Sequence, residues 1–62
     1  MFLTLIDEYG EEFLLSLSFI ESIKSDVLGY AVIETTSQVY NTKNMYEDIL
    51  HLLKGAGTCM NL

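Results

Sequence analysis

FLLSLSFIESI, residues 13–23, decides how the rest of this chain is read. Phe13, Leu15, Leu17 and Phe19 alternate with Leu14, Ser16 and Ser18, a period of two that fits a strand. Phe13, Leu17 and Ile20 also fall on one helical stripe. The Ser-x-Ser interruption and the aromatic and β-branched residues favour strand. The alternation slips near Ser16-Leu17-Ser18. The stretch therefore reads as a strand, a bulge or short helical turn between 16 and 20, and a second strand through FIESIKS.

Working outward, FLTLI at 2–6 is apolar and β-rich. Asp7-Glu8-Tyr9-Gly10 supplies turn chemistry, with Gly10 free to take positive φ. EEFLL at 11–15 resumes the strand, so the two runs predict a hairpin. Ser25-Asp26-Val27-Leu28-Gly29 is the next turn. YAVIET at 30–35 is the strongest strand signal, and QVYNT at 38–42 follows after Thr36-Ser37. The last element reads as a helix. Asn44 is placed to cap it, with Glu47 three residues on. Met45, Ile49, Leu52 and Leu53 form its apolar stripe, flanked by Tyr46 and Leu50. Gly55 is placed to end it. The expected fold is α+β: a small antiparallel β-meander of four to five strands, followed by one C-terminal α-helix packed on one face. Residues 1–55 are expected to form a single domain and 56–62 a flexible tail.

The chain has 62 residues, half of them apolar. A domain of this size buries only about 60% of the surface its unfolded chain exposes. Small domains often compensate with disulfides, a metal or association. Cys59 is the only cysteine and His51 the only histidine, so an intrachain disulfide and a Cys/His zinc site are both excluded. Association with another molecule is the remaining route. Nine acidic residues face three lysines and no arginine, a net charge of −6. Phosphate backbones and anionic membranes call for clustered cations, so neither nucleic acid nor membrane is expected as a partner. A basic protein surface suits the charge, although acidity also simply keeps an apolar chain soluble. A cytoplasmic location is expected, with no cofactor.

LIDEYGEEFLL, FIESI, YAVIETTSQVYNT and MYEDILHLL together resemble the small FlbD-type flagellar and swarming-motility proteins. The resemblance covers roughly residues 3–53 and rests on the order of apolar runs: hairpin, strand, strand, short turn, strand, acidic amphipathic helix. It implies a non-enzymatic accessory factor for motility. It carries over no functional residue.

Candidate sites are few. Asp7, Glu8, Glu11 and Glu12 read as a solvated turn, or as an acidic knob for a basic partner. Hard-cation cages need further oxygen ligands. Paired carboxylates do acid–base work only in a desolvated hollow, which a hairpin tip does not provide. His51 could pair with Asp48 or approach Cys59, but a Gly-flanked tail fixes no nucleophile geometry. Tyr9, Tyr30, Tyr40 and Tyr46 suit either cross-strand packing or partner contacts, with Tyr30 and Tyr40 placed to face each other across the last hairpin. Both faces of the sheet read as apolar: Tyr30 and Val32 point one way, Ala31 and Ile33 the other. One helix covers one face, and an uncovered apolar face usually marks a protein contact.

The expected function is a small non-enzymatic interaction module that self-associates, as a homodimer or higher oligomer, and regulates a larger protein. Its contact residues are expected among Tyr9, Glu11, Glu12, Tyr30, Val32, Tyr40 and Tyr46. Competing expectations are an inhibitor of a host defence protein encoded by a phage or mobile element, and a binder of a nucleotide-like ligand at a protomer interface.

Overall fold

The computed structural model describes residues 1–55. The expectation of a flexible tail at 56–62, and with it Cys59, lies outside the described residues. The elements are β1 (Phe2–Ile6), β2 (Glu12–Ser16), a 3-10 turn (Leu17–Phe19), β3 (Ile20–Ser25), β4 (Tyr30–Thr35), β5 (Val39–Met45) and α1 (Tyr46–Gly55). The fold is α+β, with antiparallel strands and one C-terminal helix. The meander is interrupted, however: β1–β2 form one sheet and β3–β4–β5 another.

The opening stretch explains the interruption. The Ser16 hydroxyl accepts from the Ser18 N–H and caps the 3-10 turn. A tight turn of this kind carries the chain off the first sheet before β3 begins, so β2 and β3 do not pair.

Two turns hold the hairpins in one way. Asp7 Oδ1 accepts from the N–H groups of Tyr9 and Glu11, at 2.8 and 3.0 Å. Asp26 Oδ1 accepts from those of Leu28 and Tyr30, both at 2.9 Å. In each turn the aspartate N–H donates to the carbonyl four residues on, and its carbonyl accepts from the glycine N–H. Gly10 and Gly29 take φ of 84° and 91°, where a Cβ would be strained. The third connection needs no glycine, because the Thr35 hydroxyl accepts from the Gln38 N–H and donates to its carbonyl.

Leu3, Leu5, Leu15, Ile23, Ala31, Ile33, Ile49 and Leu53 form one buried cluster drawn from both sheets and the helix. Both the hairpin and the helix therefore contribute to roofing the inner side of the meander. The helix packs on β3, β4 and β5, while β1 runs beside β5. Thr42 is the one buried polar residue among those described, and its hydroxyl donates to the Ala31 carbonyl at 2.8 Å. That bond offsets the cost of burying the hydroxyl.

Asn44 does not cap the helix. It lies within β5, and its Oδ1 accepts from the Ile6 N–H at 2.7 Å. A bridge between Asp7 and Thr42 lies close by. The amide side chain stands in for a backbone carbonyl where β1 meets β5. The helix starts one residue later than its expected stripe, and the Tyr46 N–H donates to the Gly29 carbonyl. Ile49 and Leu53 are buried as expected, but Leu52 is exposed and Tyr46 packs on the core in its stead.

Candidate functional site

The hairpin and the meander present different outer surfaces. In the hairpin, Leu3 pairs with Leu15 and Leu5 with Phe13 on the inner side. The alternate pairs, Phe2 with Ser16, Thr4 with Leu14 and Ile6 with Glu12, face outward. Phe2 is 65% exposed and Leu14 66%. Ile6 extends the same apolar strip. Glu11, Glu12 and the Asp7–Gly10 turn border it on one end.

The backbone at this edge is open as well. The Leu17 N–H donates to the Met1 carbonyl and the Asp7 N–H to the Glu11 carbonyl. In an antiparallel ladder these bonds recur at every second residue. Odd-numbered residues of β2 therefore bond to β1, and the backbone groups of Glu12, Leu14 and Ser16 point away from it. Among the described residues, β1 is the only strand paired with β2, although Phe13 on its inner side stacks on Tyr40 of β5.

The outer side of the meander is mixed: the expected Tyr30 and Val32 are half-buried there, Val39 and Met45 are exposed at 56% and 42%, and polar groups lie between them. Lys24 Nζ lies 2.7 Å from Glu34 Oε1, and the Ser22 hydroxyl donates to the same carboxylate oxygen at 2.9 Å. The lysine hydrogen bond, helped by the Ser22 hydroxyl, holds the Glu34 carboxyl below its ordinary range. Val32 is half-buried between Lys24 and Asn41, its neighbours on β3 and β5. Lys43 Nζ sits 5.1 Å from the centre of the Tyr30 ring, a cation–π contact.

The expected contact residues scatter. Tyr9 is 84% exposed at the first turn, with Glu11 and Glu12 exposed beside it. Tyr40 is half-buried and stacks on Phe13, with ring centres 5.3 Å apart. Its hydroxyl accepts from the Gln38 side-chain amide. Tyr46 is half-buried against the core. Tyr30 and Tyr40 do not face each other: Tyr40 pairs with Ile33 and Tyr30 with Met45, so the two pairs lie three positions apart along β4. Phe2, Ile6 and Leu14 were not among the expected contacts, although the period of two in FLTLI and EFLLS carries the signal. With Leu3, Leu5 and Leu15 inside, their neighbours must point out.

Elsewhere the chemistry is sparse. An open depression of about 290 Å³ lies along α1, lined by Glu47, Leu50, His51 and Lys54. His51 is exposed. Among the described residues no group of three or more His, Cys, Asp or Glu is placed to hold a metal ion. No described helix is long and apolar enough to cross a membrane. No known protein family, curated protein or solved structure matches this chain.

Proposed function

We propose that this chain is a small acidic protein-interaction module without catalytic activity, which regulates a larger protein by docking on it through the outer face of the β1–β2 hairpin. The observation that carries this reading is the exposure of Phe2 and Leu14 on a face whose inner side is already part of the core. Burying the exposed area of two such side chains stabilises a complex by roughly 1–3 kcal/mol each. The fold does not need them there, because the inner residues alone complete the cluster. His51 and the carboxylates of Glu8, Glu11, Glu12, Glu47 and Asp48 lie on the exposed surface.

The test is site-directed photocrosslinking in the native cell. A crosslinking residue is placed at Leu14, or in a second protein at Val39 on the meander's outer side. Adducts to one defined protein from Leu14, and none from Val39, are expected. Equal adducts from both positions, or none from Leu14, overturn the reading.

Self-association is the second reading of the same face, because two copies of the strip would cover each other. Sedimentation equilibrium at micromolar concentration decides it: the mass of a single chain removes it. Charge opposes it. The hairpin carries Asp7, Glu8, Glu11 and Glu12 and no lysine, so two hairpins brought together repel.

A further inference from the structure

The two outermost strands are protected unequally. An unpaired strand edge invites another strand, and proteins block it with lysine, proline or a bulge. β3 carries two such devices: an irregular register between Ile20 and Ser22, and Lys24. β2 carries neither a bulge nor a lysine nor a proline; its register against β1 is unbroken from Glu12 to Ser16. Its outward backbone groups belong to Glu12, Leu14 and Ser16, and the Leu14 side chain is part of the apolar strip.

Charge selects the occupant. Residues 1–23 contain five of the nine acidic residues, Asp7, Glu8, Glu11, Glu12 and Glu21, and no lysine. Two of the three lysines are engaged on the meander's outer side, Lys24 with Glu34 and Lys43 with Tyr30. A segment lying along β2 meets the half-buried Phe13 on the inner side, exposed Leu14 on the outer side, with buried Leu15 beneath the edge, and carboxylates near the turn. Apolar residues beside the first three and cations beside the last are the complement.

Resting on the docking reading above, we infer that the occupant is an extended segment of another protein, apolar at its centre and flanked by lysine or arginine, which adds to β2 as a further strand. Main-chain hydrogen bonds to Glu12, Leu14 and Ser16 give this mode its affinity, and the flanking cations its specificity. The apolar strip alone is small beside the ~800 Å² per partner of a standard interface, so the strand bonds are needed.

The experiment uses the full chain and a labelled ten-residue synthetic peptide, with a Val- and Thr-rich centre and lysines at both ends. One control peptide carries glutamate for lysine; another is N-methylated at alternate amides, which blocks strand pairing and keeps the charge. Binding is read by fluorescence anisotropy, and amide hydrogen exchange by NMR. The lysine peptide binds, both controls lose at least about tenfold in affinity, and exchange slows at Glu12, Leu14 and Ser16. The double variant Glu11→Lys, Glu12→Lys weakens binding by about tenfold or more while its circular dichroism and melting are retained. Equal binding of the N-methylated peptide overturns the strand mode, and so does protection confined to β3. If no peptide binds while Leu14 crosslinks to a protein, the strand mode alone falls. If Leu14 gives no adduct either, the docking reading falls with it.

Discussion

The outer faces of the two sheets differ although one core lies beneath both. The meander's face is the more finished: Lys24, Glu34 and Ser22 satisfy one another, Lys43 covers Tyr30 and Val32 is half-buried among them, although Val39 and Met45 remain exposed. The hairpin's face is unfinished, with Phe2 and Leu14 in water and the β2 edge unpaired among the described residues. Singly exposed apolar residues are normal on any protein. A strip of them beside an open strand edge and a bank of carboxylates is the surface on which the proposed docking rests. The two aspartate turns teach the same lesson on a smaller scale. Their hydrogen bonds match group for group, yet one tip is Glu8-Tyr9 and the other is Val27-Leu28, both exposed. The fold fixes the turn and leaves the tip to other uses.

The comparison breaks most readily at the shared core. Leu5→Ala in the hairpin and Ile33→Ala in the meander remove fully buried side chains, and each is expected to cost about 2–5 kcal/mol. Urea unfolding followed by circular dichroism and tyrosine fluorescence should show a single coincident transition for both. Two separated transitions would mean that the sheets are not built on one core. A smaller effect is expected at the turns. Asp7→Ala and Asp26→Ala each leave two N–H groups without their acceptor, and each should cost about 1 kcal/mol by the same measurement. Clearly unequal costs would show that the matching bonds are not equivalent.

Smaller again are changes on the unfinished face. Leu14→Thr and Phe2→Thr should alter stability by no more than about 0.5 kcal/mol, because both side chains are already in water. They should lower the fluorescence of a bound hydrophobic dye more than Val39→Thr does. A large loss of stability would show that the strip serves the fold rather than a partner.

The smallest effect belongs to the finished face. The folded-state pKa of Glu34 is depressed, by the Lys24 hydrogen bond first and the Ser22 hydroxyl second. Its contribution to stability is therefore present above the ordinary glutamate value and is lost as the pH falls below it, through the folded value. Glu34→Gln should remove that part of the acid dependence of the melting temperature. The pair is solvent-exposed, so the change is slight and shrinks with added salt. A loss appearing on the alkaline side instead would contradict the assignment.

Much of this fold was legible in order of residues alone. The strand through 30–35, the turns at Gly10 and Gly29, the break at 16–20 and the buried Ile49 and Leu53 all follow from local chemistry and period. The site was less legible. Tyrosines drew attention because they are common at interfaces, yet Tyr40 stacks on Phe13 and Tyr46 packs on the core. Leu14 was recognised as pointing opposite to Phe13 and Leu15, but nothing in one strand tells which side another element will cover. Asn44 misled for a related reason: a short amide side chain caps a helix or replaces a carbonyl in a ladder equally well, and Ile6, 38 residues away, decides which.

By itself, then, the order of side chains determined the small α+β fold class, the positions of its turns, and an acidic stretch over residues 1–23 without lysine. Those properties arise from neighbours within a few residues, where dihedral preference and periodicity act. Only the tertiary structure decided that the strands divide into two sheets, that Lys24 pairs with Glu34 across the meander's outer side, and that β2 is left open. Such outcomes depend on contacts between distant segments, and pairing across space, not spacing along the chain, selects which face meets water.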